Sequence, residues 1–444
     1  MATHRLSSLW SIIAAGILSL IALPSAHAVP SYARQTGQQC IACHVSFPEL
    51  TPYGRYFKLT GYTIGQRQNL PFAMMAQAGV TKTQDNGPDN DVTPHDGNPV
   101  FSGASVFLAG KANDHIGAFV QWSYDNVEHH SALDNADIRI VGKYEGAGAK
   151  EPDLIYGATL HNNPTMQDVW NSTPAFGFPY TSSATAVTPT VSTLIDGGLA
   201  QQVAGIGGYF FWKKAIYGEL SFYRTADGAF SALRAGQDTA TPGGVSRLDG
   251  YNPYWRLAYN HEWGPNSLMV GTYGMIVKKY PDNTVADTAT DKFTDTALDA
   301  QYQYITDPHT FTAQTTYIHE RQNWDASFPT GGIGAGPTPS LASTNLDTFK
   351  AKGTYYYQRK YGATLAYVST TGTEDPALYS FSPTGSPDSA AYVAELNYLP
   401  MQNVRVMLQY TDYKKFDGAS TNYDGNGRNA KDNNTLFLNL WVAF

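Results

Sequence analysis

The feature that most constrains this chain is a repeated alternation of apolar and polar residues from Leu70 to Phe444. Segments of about ten residues carry it, with turn residues or polar loops between them. In the last segment one row alternates with another: Leu436, Leu438, Leu440, Val442 and Phe444 against Thr435, Asn439 and Trp441. Because successive side chains of a strand point to opposite faces, this period predicts β-strands with one apolar and one polar face.

The connections predict how these strands are arranged. Short turns are expected near 113–114, 213–214, 264–266, 307–308, 359–360 and 401–402. Long polar loops are expected at about 83–99, 162–202, 225–249, 322–344, 371–389 and 415–433. This alternation is typical of outer-membrane barrels. We therefore predict an all-β fold over residues 69–444, a porin-like outer-membrane β-barrel of about 16 antiparallel strands with periplasmic termini. A soluble protein of several β-sandwiches is the alternative.

Composition and the N-terminus favour an exported envelope protein. Charged residues are 15% of the chain, the net charge is −8, and aromatics reach 13%. No basic stripe is present, so we expect no nucleic acid as a partner. The predicted barrel implies outer-membrane lipid as a partner. Residues 1–28 have a weakly basic start, an apolar run and an Ala26–His27–Ala28 cleavage site, which predicts a signal peptide. A membrane anchor is the alternative for that segment.

The only two cysteines lie in one pentapeptide, Cys40–Ile41–Ala42–Cys43–His44. Two thiols at this spacing can add to the two vinyl groups of a haem, and the adjacent histidine can ligate the iron. A thioredoxin-like pair would need a βαβ context, and a zinc site would need further ligands. We predict one covalent haem c, bound through Cys40 and Cys43 with His44 on the metal. The module of residues 29–68 is too short to shelter it alone, so we expect it to plug the barrel lumen.

The stretch 32–62 also carries a recognisable pattern around this motif. The residues concerned are Tyr32, Ala33, Arg34, Thr36, Gly37, Cys40, Cys43, His44, Phe47, Pro48, Leu50, Gly54, Arg55, Phe57 and Lys58. In them the chain resembles the fused monohaem cytochrome c–porin family of bacterial outer membranes, which includes iron-oxidising outer-membrane cytochromes. The barrel matches that family in architecture rather than in motif. The resemblance implies a monohaem cytochrome that plugs a sixteen-strand porin and passes electrons between an external donor and periplasmic carriers.

Two further residues are candidates for the haem site. Met75 is predicted to face the lumen from the first strand, where it could be the sixth iron ligand; an ordinary packing methionine is the alternative. Arg55 is the preferred partner for a haem propionate, ahead of Arg34 and Arg67, because it lies in the matched stretch.

Charged residues are also predicted to face the lumen, where they would form a cation path or the mixed charges usual in porins. The acids are Asp137, Glu219, Asp299 and Glu395, and the bases are Arg139, Arg256, Lys350, Lys352 and Arg405.

Three functions follow as hypotheses. The leading one is electron transfer from an extracellular reductant, with Fe(II) the first candidate, through the haem to a periplasmic cytochrome or other electron carrier. Such a protein would be an electron carrier or resemble an Fe(II):cytochrome c oxidoreductase. The second is a passive porin whose haem module has a structural or gating role. The third is a haem enzyme acting on peroxide or nitrogen oxides, which needs an open iron position and distal donors.

Overall fold

A computed structural model describes residues 30–444, apart from 88–91, 147, 149–150, 237–239, 242–243 and 287–288. The predicted signal peptide lies outside the described residues. Within the described part, no helix is both long enough and apolar enough to cross a membrane.

Sixteen strands form one closed antiparallel barrel, in which each strand pairs with its neighbours in sequence and the last pairs with the first. They are β3 (Phe72–Thr83), β4 (Pro99–Lys111), β5 (Ile116–Asp125), β6 (His130–Tyr144), β7 (Leu154–His161), β8 (Val203–Trp212), β9 (Ile216–Thr225), β10 (Asn252–Trp263), β11 (Asn266–Lys279), β12 (Asp291–Ile305), β13 (His309–Asn323), β14 (Ser343–Tyr357), β15 (Tyr361–Gly372), β16 (Ser389–Met401), β17 (Val404–Lys415) and β18 (Thr435–Ala443). The predicted sixteen-strand barrel is confirmed.

The two faces of the barrel wall differ as the alternation predicts. On β12, Asp299 and Gln303 are 3% and 0% exposed, whereas Leu298, next to Asp299 and on the opposite face, is 61% exposed. Tyrosine, leucine and phenylalanine dominate the exposed apolar side chains, and Leu365 reaches 72% exposure. A closed barrel with an apolar outside and a polar inside has the faces of an outer-membrane barrel, since a soluble protein rarely exposes so much apolar surface.

The short turns and long loops fall where the sequence predicts them. Three connections were not predicted: 145–153 on the short-turn side, and 126–129 and 280–290 on the other. Both ends of the described chain lie at the short-turn end. Ser31 Oγ donates to the carbonyl of Ala109, next to the β4–β5 turn, and Phe444 N donates to the carbonyl of Met74 at 2.8 Å.

One long loop has the predicted bounds in the sequence but lies inside the barrel instead of outside it. Residues 162–202, here called the inner loop, were expected to be an external polar loop, but 162–173 are buried inside the barrel. Asp168 explains the difference. It accepts N–H groups of Trp170 and Ser172 at 3.1 and 3.0 Å, and it pairs with Arg256 Nε of the wall at 3.3 Å. Because a buried carboxylate requires a counter-charge, the Arg256 guanidinium favours burial of Asp168 and so the inward fold of the loop.

The N-terminal segment, residues 30–66, has little regular structure of its own. It contains α1 (Ser31–Thr36), α2 (Cys40–Cys43), the paired β1 (His44–Ser46) and β2 (Glu49–Leu50), and α3 (Pro52–Leu59); α4 (Ser327–Thr330) lies in a long loop. Its apolar side chains pack against the inner wall: Leu59 joins a cluster with Val141 and Tyr217, and Val45 joins one with Tyr356. The segment is therefore buried against the barrel rather than against itself.

Candidate functional site

The pentapeptide motif forms one compact turn. Helix α2 is a single turn that begins at Cys40 and ends at Cys43. Residues three apart on a helix lie on the same side, so the two cysteine side chains face the same way. His44 follows at once in an extended conformation, with φ −121° and ψ 137°, and begins β1. All three side chains line one cavity, called the motif cavity below.

The turn is fixed from within the segment and from the barrel. Thr51 N donates to the carbonyl of Cys43 at 2.9 Å, and Thr51 Oγ caps α3 by accepting from Gly54 N at 3.2 Å. Arg359 Nη1, in the turn between β14 and β15, donates to the carbonyl of Ile41 at 2.7 Å. The motif is therefore held at the short-turn end of the barrel.

Gly54 sets how closely α3 approaches the motif. A β-carbon at this position would lie 2.2 Å from the carbonyl oxygen of Cys43, which no real side chain tolerates. Only glycine lets the helix backbone pass at this distance. This gives a physical reason for one of the residues in the matched stretch.

The motif cavity measures about 880 Å³ including the solvent space at its opening, and most of its lining is apolar or aromatic. Its walls come from the segment, the inner loop and the barrel, and they include Tyr32, Phe47, Pro48, Leu50, Phe57, Lys58, Phe119, Asn171 and Phe176. A second cavity of about 1160 Å³ also borders His44 and Phe47, and it extends to Met75 and Trp441. The imidazole of His44 thus borders both spaces.

Burial sets the ionisation of the three motif side chains. It lowers the pKa of His44 to about 4, so the imidazole is neutral at pH 7, which is the form that binds metals. Its Nδ1 is buried and has no hydrogen-bond partner among the described residues. Burial raises the pKa of the Cys40 thiol and raises that of Cys43 to about 11. Redox-active cysteines have lowered pKa values, so these thiols do not suit a thioredoxin-like pair.

Arg55 does not line the motif cavity. Its guanidinium donates to Gln301, Gln303 and Ser267 of the wall, and it lies 3.6 Å from Glu262. These contacts turn it towards the inner face of β11 and β12, where it borders a different cavity. The contacts of Arg55 therefore give no support to the predicted propionate pairing. They make it an anchor of the segment on the barrel.

Lys58 is the cationic side chain that lines the motif cavity. Its Nζ donates to the carbonyls of Met166 and Asp168, each at 2.6 Å, and to Asn171 Oδ1 at 3.2 Å. Burial lowers its pKa to about 7. Lys58 was part of the matched stretch, but nothing in the sequence signalled that the inner loop would surround it.

Met75 lies on β3 beside the second cavity, which it shares with His44. Its neighbour Met74 is 43% exposed on the outer face. The register of β3 thus turns Met75 to the lumen, as the alternation requires. Its role as an iron ligand stays a prediction.

The charged residues predicted to face the lumen do so, and most are paired with one another. Arg139 lies 2.8 Å from Asp137, Arg256 lies 2.8 Å from Asp299, and Arg405 lies 2.6 Å from Glu395. Glu219 instead accepts hydrogen bonds from Gln167, Tyr217 and Ser221. Paired charges of this kind stabilise a filled lumen rather than form a row of free carboxylates.

Lys352 ties the N-terminal segment to the wall. Its Nζ lies 2.5 Å from Glu49 Oε2, both side chains are almost fully buried, and Tyr180 of the inner loop donates to the same oxygen at 3.0 Å. Burial raises the pKa of Glu49, but the Lys352 ammonium outweighs it and holds that pKa below its usual value. The alternation predicted that Lys352 faces inward, and no sequence signal identified Glu49 as its partner.

The described residues contain no group of three or more His, Cys, Asp or Glu side chains that could hold a metal ion. A haem iron needs only axial ligands from the protein, and His44 is placed to be one. The cavity fits a c-type haem in its donor set, since two thiols and a neutral imidazole open into one apolar space.

Comparisons with known proteins give similarity in overall shape only. No protein-family model matches the chain, and no curated protein matches it. Among solved structures, an anion-selective porin from Comamonas acidovorans shares 12% identity, covering 84% of this chain and 98% of that one, with a TM-score of 0.46.

Two other solved structures are alike to a similar degree. A loop L8 deletion mutant of OmpT from Vibrio cholerae shares 12% identity over 84% and 98% of the two chains, with a TM-score of 0.45. The channel DcaP of Acinetobacter baumannii shares 12% over 84% and 96%, with a TM-score of 0.44. The strand pairing of this chain by itself defines a closed sixteen-strand barrel of porin-like form.

Proposed function

We propose that this chain binds one haem c at Cys40, Cys43 and His44, and that it passes electrons from an extracellular reductant to a periplasmic carrier. The observation that carries the proposal is the shared cavity: both thiols and the neutral imidazole of His44 open into one apolar space. Fe(II) is the first candidate for the reductant.

The attachment chemistry needs no external oxidant or reductant. Each cysteine S–H would add across one vinyl C=C bond, so that a C–S bond forms and the thiol hydrogen goes to the other vinyl carbon. His44 would ligate the iron through its ring. When bound, haem c supplies one-electron exchange at its iron. Met75, which borders the second cavity together with His44, is the candidate for a second iron ligand from the protein.

The protein's own residues would set the surroundings. Phe47, Phe57, Phe119 and Phe176 give the motif cavity apolar walls, which disfavour water. Lys58 joins the wall of the motif cavity to the inner loop through hydrogen bonds to the carbonyls of Met166 and Asp168. In this arrangement the N-terminal segment and the inner loop together act as a plug, and the barrel insulates the site from lipid.

The orientation is part of the proposal. Short turns of outer-membrane barrels face the periplasm, so the motif and both ends of the described chain would lie on the periplasmic side. A periplasmic cytochrome could then reach the site directly. The extracellular donor would have to enter the lumen from the long-loop end, which favours a small ion over a large molecule.

Rapid mixing tests this function. The oxidised, haem-loaded full chain in detergent is mixed with Fe(II), and the haem absorption bands are followed. We expect the bands of the reduced haem to grow with a rate proportional to Fe(II) concentration. A haem-loaded protein that neither Fe(II) nor any other external donor reduces would overturn the proposal.

A passive porin is the second candidate, and the closed sixteen-strand wall favours it. Porins share this architecture and line the lumen with charged residues, as this chain does. Swelling of proteoliposomes in small sugars separates the two functions. A porin gives solute flux with the wild-type chain, whereas a plugged electron carrier gives little. Flux without any haem reduction would establish the porin.

A further inference from the structure

A pair of carboxylates in the lumen differs from all the ion pairs described above. Asp295 on β12 and Glu320 on β13 are directly opposite each other in the strand pairing. They are 0% and 1% exposed. Asp295 lies near the start of β12 and Glu320 near the end of β13, so the pair is close to the long-loop end, away from the motif.

Neither carboxylate of this pair forms an ion pair with a cationic side chain of the described residues. Among the described residues, no Lys or Arg nitrogen lies within 4.0 Å of either carboxylate. Lys279, at the end of β11, acts on Glu320 only from further away. The nearby Asp196 is already paired with Lys350 at 2.6 Å. Two buried carboxylates that face each other repel, so the site needs either a proton or a cation.

The hydrogen bonds of the pair are incomplete. Glu320 accepts from Leu194 N of the inner loop and from Gln322 Nε2, the latter at 2.6 Å. Neither oxygen of Asp295 has a hydrogen-bond partner of good geometry in the described part of the chain. Its polar neighbours are the Glu320 carboxylate, which lies close enough to share a proton with it, and the backbone N–H of Ile195.

Two hydroxyl groups beside the pair also lack partners. Tyr379 Oη belongs to the 373–388 loop. Burial is the main cause that raises the pKa of Tyr379, and the charge of Glu320 raises it further. Thr193 comes one residue before Leu194, whose backbone N–H donates to the Glu320 carboxylate. Both side chains are buried, at 5% and 0% exposure, and neither hydroxyl has a hydrogen-bond partner among the described residues. A proton shared by the carboxylates would leave both hydroxyls unsatisfied, whereas a cation can take oxygen atoms of both kinds.

We infer that Asp295 and Glu320 form a binding site for a divalent cation that prefers oxygen ligands, with Tyr379 and Thr193 as neutral oxygen donors. Carboxylate and hydroxyl oxygens suit Mg²⁺, Ca²⁺, Mn²⁺ and Fe²⁺. Only two acidic ligands are present, so the ion would be held weakly and exchange readily. The site needs no haem, and it stands whether or not the chain transfers electrons.

Binding of Mn²⁺ tests the inference, because the free ion is seen directly by electron paramagnetic resonance. The full chain in detergent is stripped with a chelator and titrated with Mn²⁺. We expect one bound ion per chain, displaced by excess Mg²⁺ or Ca²⁺. Asp295→Asn and Glu320→Gln should each weaken binding by at least about 10-fold, since each removes a charged ligand.

Asp325→Asn is the matched control. It makes the same change at an exposed carboxylate on the same rim, and it should leave binding unchanged. The slower gel mobility of heated samples verifies that each variant forms a barrel. Binding that Asp295→Asn and Glu320→Gln do not weaken would overturn the site. A second result would also overturn it: the chain binds no Mn²⁺, and its infrared spectrum shows a carboxylic-acid band that disappears in Asp295→Asn. The pair would then share a proton instead of a cation.

Discussion

The barrel wall and the N-terminal segment fold for different reasons. The wall is held by sixteen continuous ladders of backbone hydrogen bonds, and its closure leaves no edge. The segment has five short elements, and its buried groups find their partners on the wall and the inner loop. We therefore expect the wall to form without the segment, whereas the segment depends on the wall.

Removing both thiols should have the largest effect, which is the loss of the haem from the N-terminal segment. The barrel wall should be unaffected. In a Cys40→Ala/Cys43→Ala variant we expect complete loss of covalently bound haem, because no other cysteine is present to hold it. A haem stain on a denaturing gel measures this. The barrel should still show its heat-dependent gel mobility. Covalent haem that persists in the variant would contradict the attachment, and a barrel that fails to form would contradict the independence of the wall.

Breaking the Lys352 anchor should have the next largest effect. Lys352→Met leaves Glu49 buried and unpaired, which costs about 3–5 kcal/mol. We expect the N-terminal segment to become sensitive to protease while the barrel stays intact, as measured by limited proteolysis and mass spectrometry.

Lys350→Met is the control for that variant. It lies two residues away on the same inward face, but its partner Asp196 is partly exposed, so the cost should be about 1 kcal/mol or less. Equal protease sensitivity of the two variants would argue against the Glu49–Lys352 anchor.

Gly54→Ala should have an intermediate effect. The added β-carbon would meet the carbonyl of Cys43 at 2.2 Å, and relieving such overpacking costs about 1–3 kcal/mol. We expect a lower fraction of chains with attached haem, measured by the ratio of haem absorbance to protein. Gly353→Ala in the wall meets its nearest atom at 3.9 Å and should change nothing. Full haem loading of Gly54→Ala would refute the close approach of α3.

Acid below pH 4.5 should release the segment by a smaller step. Because the pKa of Glu49 lies below its ordinary 4.5 when folded, its stabilising contribution is complete above that pH. It is lost as the pH falls through the lower folded value. The protonated carboxyl can still hydrogen-bond, so the loss is less than in Lys352→Met. Pepsin cleavage within 30–66 against pH measures it, and a Glu49→Gln variant should lack the step.

The sequence predicts the wall better than the site, for a physical reason. Alternation is a local property, so the strands and the inward positions of Asp299 and Arg405 follow from it directly. The inner loop was misplaced because its burial depends on a distant pairing of Asp168 with Arg256. The orientation of Arg55, likewise, is decided by Gln301 and Gln303, far away in the chain. Contacts between remote residues leave no periodic signal.

The mass of the intact mature chain tests the central claim most directly. The protein is expressed with the cytochrome c maturation machinery, purified from membranes, denatured, and weighed with and without protease digestion. We predict a mass increase of one haem, located on the peptide that contains Cys40 to His44. A chain of unmodified mass with two free thiols would contradict the haem assignment and leave the porin-like barrel as its functional part.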